Sequence, residues 1–438
     1  MWGKSAVHLA LAHGRFDVGM KIMMSKKLHY AWVVMAGCFI ILMCLSGMVL
    51  ATTSVFLKPV SESMGIARTA FTSYTLLSGV FGMAASLNAG KIIRSLGIRI
   101  ALIMGAGMVS AAMFGYAVSR EIWHFWIFGA LSGFGAGFSS TIICSVLLNN
   151  WFHAQKGVAT SIAFMGTSTG TLVFSRIGIL LLEHVGWRWS YAIFGFILLL
   201  LVPSVAIFLV VEAPSSKGLA PYGADREDVP SHESDKDGIL KHDFLKMPAF
   251  YTLSLSCFLS GIIILGAQNH LLAFLDDLGY TTQTAANVYT IYLIIQIIGK
   301  VILGASLDRF GVKISILYIS VMYFLAMAGF LSAKSPVMAF LGAACLGLAA
   351  GICTLLPPYL TSVLVGSIDY ANILGSVNIF LSMGTSVSTM FTSVVYDYFG
   401  GYHWAWIIYA IGMVLYAFCV FSSLATVNSK KQMQSQPM

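Results

Sequence analysis

Twelve apolar stretches divide this chain, each long enough to cross a bilayer. Away from their ends they hold no carboxylate and only three strongly basic or titratable side chains, Arg176, His270 and Lys300. In hydrocarbon every backbone N–H and C=O must be paired within the protein, so a crossing segment is a helix of about 20 residues or a strand of a closed barrel. The stretches run 31–57, 69–91, 98–119, 122–150, 156–183, 187–211, 249–274, 284–306, 313–333, 336–364, 370–396 and 403–425, too long and continuous for barrel strands. The expected fold is an all-α membrane protein with twelve transmembrane helices. A mean hydropathy of +0.85 with only 10% charged residues excludes a soluble domain.

The net charge of +8 is distributed for orientation rather than for nucleic acid. Of the 25 Lys and Arg, 18 fall on the side that holds both termini, five on the other side and two within the membrane. Positive loops stay cytoplasmic, so both ends are expected in the cytoplasm and the chain in the cytoplasmic (inner or plasma) membrane, with the lipid bilayer as its surroundings. The seven cysteines lie in apolar runs and give no disulfide or zinc framework, so no metal is expected. Residues 1–28 carry His13, Arg15 and Asp17 across a short apolar patch, unlike a cleaved signal peptide. Trp32, Trp123, Trp126, Trp151, Trp187, Trp189, Trp404 and Trp406 sit at span ends and read as interfacial anchors.

One hydrophilic stretch, 212–248, separates the spans six and six. Sliding one half onto the other by 214 residues superposes nine glycine pairs, among them 47/261, 65/279, 90/304, 97/311, 133/347, 137/351, 170/384 and 186/400. About two pairs would arise by chance, so the register identifies a duplicated six-helix unit, a plan that places substrate between the halves. The expected organisation is a leader (1–28), an N-terminal bundle (29–211), a cytoplasmic linker (212–248), a C-terminal bundle (249–425) and a tail (426–438). Gly133/Gly137 and Gly347/Gly351 are small-xxx-small patterns, expected to let helices pack closely.

The loop after the eighth span reads GASLDRFGVK (304–313), and its equivalent after the second reads GKIIRSLGIR (90–99). These resemble the cytoplasmic loop signatures of the major facilitator superfamily, G-x-x-x-D-R-x-G-x-R/K. The resemblance implies two six-helix bundles and assigns conformational gating to Gly304, Asp308, Arg309 and Gly311, with Gly90 and Gly97 in the first copy. Arg94 and Ser95 replace the Asp and Arg of the first copy. NNWFHAQKGVATSIAFMGTSTG (149–170), GWRWSYAIFG (186–195) and NHLLAFLDDLGYTTQTA (269–285) are similar to the oxalate/formate antiporter and monocarboxylate transporter branch. That branch carries a His late in the seventh span and a cation on the eighth, positions that His270 and Lys300 occupy, with Lys here in place of the usual Arg.

A cation deep in a bilayer costs at least a few kcal/mol and normally faces a watery cavity. Lys300 lies eight residues before Asp308, about 12 Å from its helix end, and shares a helical face with Tyr289 and Gln296. Snorkelling to the headgroups is the bland alternative for it. Arg176 lies about 15 Å from the outer end of its helix, where it either shares a cavity with Lys300 or satisfies carbonyls of a neighbour. His270, beside Asn269, is the titratable group best suited to a proton switch. Asn378 is a candidate neutral hydrogen-bond partner. Basic groups with no internal acid predict a small organic anion as cargo, carried by exchange or with protons. The rivals are efflux of neutral or amphiphilic compounds and a non-transporting anion sensor. The sequence has no H-E-x-x-H or Walker motif, so neither an enzyme nor a cofactor is expected.

Overall fold

The computed structural model describes residues 29–435 apart from 67, 225–238 and 367; the leader and the middle of the linker lie outside the described residues. Among the described residues, ten continuous helices are long and apolar enough to span a bilayer. Two of them hold two spans each. A straight helix of 53 residues would be about 80 Å long against roughly 30 Å of hydrocarbon, and the helix Lys156–Phe208 is broken at Gly186 (φ 73°, ψ 171°). Thr282–Leu331 is broken in the same way at Gly311 (φ 75°, ψ 177°). Twelve spans result: α1 (Tyr30–Thr53), α2 (Arg68–Leu96), α3 (Ile98–Val118), α4 (Ile122–Trp151), α5 (156–185), α6 (187–208), α7 (Pro248–Asp277), α8 (282–310), α9 (312–331), α10 (Pro336–Val365), α11 (Tyr370–Phe399) and α12 (His403–Ser435). The last helix continues past residue 425, where the apolar stretch ends.

Local chemistry sets the ends. Pro248 and Pro336 occupy first helical turns, where a missing N–H costs nothing. Thr281 caps α8 by accepting the N–H of Thr284. The paired glycines 65/279, 97/311 and 186/400 all have φ between 64° and 81°, a turn conformation open to glycine at little cost.

Two hydrophobic cores form, one from Ala31 to Val210 and the other from Phe244 to Val427. The duplication is visible in how they pack. Gly47 meets the backbone of Gly170 in the first half, and Gly261 meets that of Gly384 in the second. Gly133 abuts the backbone of Ser78, and Gly347 that of Tyr292, again 214 residues apart. The small-xxx-small glycines therefore allow close helix approach. Of the expected tryptophan anchors, Trp123, Trp126, Trp189 and Trp404 are exposed, whereas Trp151, Trp187 and Trp406 are buried. The indole N–H of Trp151 donates to the Val211 carbonyl at 2.7 Å, so this ring ties α4 to the chain just past α6 instead of to lipid.

The described ends of the chain share one face with the linker. Tyr30 donates to the Leu209 carbonyl and lies under the Lys217 ammonium, while Ser423 donates to the carbonyl of Ala249 at the start of α7. α4 and α10 are both interrupted in mid-membrane, at Ser140 and over 350–355, positions equivalent under the duplication. Such breaks are tolerated at depth only against protein or a cavity.

Candidate functional site

Lys300 is 2% exposed, so its ammonium does not reach the membrane surface. It crosses to the other half of the molecule. Nζ donates to Ser168 Oγ at 2.8 Å and to the Phe164 carbonyl at 3.3 Å, both on α5. From Ser168 the bonds continue in one direction. The Ser168 hydroxyl donates to Gln296 Oε1 (3.4 Å), the Gln296 amide to Tyr292 Oη (3.0 Å), and the Tyr292 hydroxyl to Gln268 Oε1 (2.7 Å). One row of polar side chains thus joins α5, α8 and α7, with every donor pointing away from the cation. An ammonium has three donors, and two have acceptors here. Among the described residues the ion pairs are Lys58–Glu62, Arg94–Asp369 and His242–Asp243, so no carboxylate answers Lys300.

The expected partners divide. Gln296 belongs to this row, and Tyr289 flanks it, its ring centroid 5.8 Å from that of Tyr292. Ser168 and Gln268 are the members that inspection of single helices passes over. His270 is turned elsewhere, its Nδ1 lying 3.1 Å from the hydroxyl of Tyr402 just before α12, a ring that itself packs on Phe274, Tyr396 and Trp406. Successive helical residues point about 100° apart, so Gln268 and His270 on α7 face different neighbours, and Asn269 between them is exposed. Asn378 is half-buried on α11 and takes no part in the row. Arg176 is exposed on α5, eight residues beyond Ser168 and hence about 12 Å further out along the helix. It is not brought to Lys300. The residue equivalent to Lys300 in the first half is Ser86, which donates to the Gly137 carbonyl at 3.0 Å; the buried cation belongs to one half alone.

Between Lys300 and the linker face, the halves are joined twice more. Asp308 accepts the N–H groups of Gly157 and Val158, each at 2.7 Å, at the first turn of α5. Gly304 lets the two helices approach there, its Cα side packed on the Gly157 carbonyl and Ser161. Arg309 points to solvent, over the Phe310 ring. Gly97 and Gly311 form the turns into α3 and α9, and Gly90 packs under the Asn372 side chain. On the other flank Arg94 Nη1 donates to Asp369 Oδ1 at 2.9 Å. The Asp308 and Arg94 contacts thus join the halves between Lys300 and the linker face.

This architecture defines a helical carrier of two docked bundles. The sequence model of the Major Facilitator Superfamily matches residues 39–365 and 269–437, and the chain belongs to that family. The proton:xylose symporter XylE shares the fold, with a TM-score of 0.68 at 15% identity over 90% of this chain and 94% of that one. FucP does so at 0.64 and 15% identity, over 89% and 97%.

Within the family, its relatives lie in the monocarboxylate and oxalate/formate branch. Monocarboxylate transporter 4 of Rattus norvegicus is 29% identical over 45% of this chain and 42% of its own length. The MFS-type transporter YhjX of Escherichia coli is 26% identical over 72% and 75%, and the oxalate:formate antiporter of Oxalobacter formigenes 25% over 49% and 48%. The chain spans about half the length of the monocarboxylate transporters it matches. It is a multi-pass membrane protein of the plasma membrane, and its relatives are transporters.

Proposed function

We propose that the chain is a secondary transporter of small organic anions, monocarboxylates or oxalate-like dicarboxylates, working by alternating access of its two halves. The observation that carries this reading is Lys300, a nearly fully buried ammonium held only by neutral acceptors. An uncompensated buried charge is costly, and a carboxylate arriving beside it offsets that cost. The third ammonium donor is the point at which such a group binds, and the polarised row from Ser168 to Gln268 keeps the cation directed toward the interface between the halves. The relatives named for monocarboxylates and for oxalate and formate agree in cargo chemistry.

Exchange is the mode the row favours. Gln296 receives a hydrogen bond through Oε1 and gives one through Nε2; an amide in that role has no acidic proton to hand on, so the row orients charge without conducting protons. With the cavity empty, reorientation strands Lys300 away from both water and anion. The loaded carrier turns over more readily than the empty one. The bonds clustered toward the linker face support access from the opposite side in this state, and the positive-inside distribution makes the linker face cytoplasmic.

Purified carrier in liposomes, tested with labelled lactate, pyruvate, formate and oxalate, decides the matter. Uptake stimulated by internal anion supports exchange, uptake driven by a pH gradient supports symport, and uptake of none of the four refutes the cargo class.

A further inference from the structure

We infer that the linker face is held shut by two latches at equivalent positions of the internal duplication but with opposite polarity, the second formed by Arg94 and Asp369 and braced by the end of the linker. The inference rests on the alternating-access reading and concerns how the empty carrier stays closed. Position 94 corresponds to 308, and 155 to 369, under the shift of 214 residues. At the first latch the carboxylate comes from the opposite half. Asp308, at the end of α8, takes two backbone N–H groups of α5, and the residue before α5, Gln155, sits in a left-handed conformation (φ 56°, ψ 30°) with no side-chain cap of its own.

At the second latch the charges have changed sides. The carboxylate, Asp369, immediately precedes α11, and the residue reaching across from α2 is the cation Arg94. A negative charge is favoured beside a helix N-terminus whichever half supplies it. Once Asp369 is there, an acid at 94 would repel it, whereas a cation attracts it. Arginine also has the reach. A cavity of about 420 Å³ lies between the halves here, with Gly90, Arg94, Asp369 and Asn372 on its walls, whereas Gly304 and Gly157 are in direct contact at the first latch. The unusual Arg94 is thus matched by Asp369 across the interface.

The second latch also holds the linker. Asp369 Oδ1 accepts the Asn372 amide at 2.8 Å, while Oδ2 accepts the backbone N–H of Lys241 at 3.1 Å. Two residues earlier, the Ile239 N–H donates to the Val365 carbonyl at 2.9 Å. The chain that connects the halves is therefore pinned to the carboxylate that the first half grips. Opening this flank frees α2 from α11 and leaves the linker end attached to the second half alone.

Thr160 supplies a reporter. It is 4% exposed and borders a small space with Lys156, Tyr359 and Tyr370 between the two latches. In full-length carrier without substrate, Thr160→Cys is treated with N-ethylmaleimide, and modification at that position is followed by mass spectrometry apart from the native cysteines. Arg94→Gln and Asp369→Asn should each raise the labelling rate about fivefold, and the double variant should also show about fivefold, because one contact is lost once. Adding Asp308→Asn should multiply the effect, since that latch is separate. A parental rate in either single variant overturns the inference, as does a double variant equal to the product of the singles. The readout needs no substrate: if another cargo is found it stands, and anion flux with labelling indifferent to Arg94 would sink it alone.

Discussion

Asp308 offers the sharpest test of how the linker face closes. Its carboxylate takes two N–H groups at 2.7 Å from a helix start that has no cap of its own. Hydrogen bonds to a charged group contribute about 1.5–3 kcal/mol each, and the charge at the helix N-terminus adds roughly 0.3–1 kcal/mol. Opening admits water to the freed N–H groups and returns part of this, so the net loss for Asp308→Ala is about 2–4 kcal/mol, or roughly 30- to 1,000-fold in the closed-to-open ratio. Asp308→Asn keeps one oxygen acceptor at nearly the same volume and loses the charge, about 1–2 kcal/mol or roughly 5- to 30-fold. Labelling of Thr160→Cys measures the open fraction directly when opening is fast relative to modification. The expected order of rates is Ala above Asn above parent. If both variants label at the parental rate, Asp308 is not a latch, whatever its effect on transport.

Ser168→Ala removes one of the two acceptors that hold the Lys300 ammonium. With one neutral acceptor gone the ammonium is left less satisfied, so an incoming anion gains more and should bind about fivefold tighter, as measured by titration calorimetry; weaker binding would show that the hydroxyl contacts the anion itself. The Arg94–Asp369 latch should be insensitive to pH above about 5. Burial raises the Asp369 carboxyl, but the Lys241 N–H, the Asn372 amide and the Arg94 guanidinium outweigh it and leave it below the usual carboxylate range. A depressed carboxyl contributes fully above its ordinary value of about 3.9 and loses that contribution only as pH falls through the lower one. Lys91 and Lys241 are the other charges nearby, and His242 faces Asp243 at 3.5 Å rather than Asp369. The ratio of the Arg94→Gln labelling rate to the parental rate, in which the other latch and Lys156 beside the reporter cancel, should stay flat from pH 5 to 8, and a change of that ratio within the window would contradict the assignment.

The fold was legible because membrane helices are written locally: run length, turn glycines and loop charge each act within one span, and the glycine register exposes the duplication. Lys300, Gln296 and Tyr289 were legible for the same reason, as a polar stripe at helical spacing. Ser168 was not, since its bond to Lys300 joins positions 132 residues apart and depends on how the halves dock. His270 shows the opposite failure. Sequence marks it as titratable and deep in a span, yet its direction is set by Tyr402 just before α12. Trp151 and Trp406 lie at span ends as interfacial anchors do, but their neighbours bury them completely. The loop around Arg94 departs from the signature in sequence, and its partner Asp369 lies 275 residues away, where only the docking of the halves reveals it.

The central claim is that an unanswered buried ammonium recruits the cargo. Calorimetric titration of the purified carrier with lactate, pyruvate, formate, oxalate and xylose, in parent and Lys300→Gln, tests it without reference to coupling or direction. Saturable binding of at least one of the anions, none for xylose, and loss of anion binding by about 100-fold or more in a variant that still folds is the predicted result. Undiminished anion binding by Lys300→Gln, or equal binding of the neutral sugar by the parent, would contradict it.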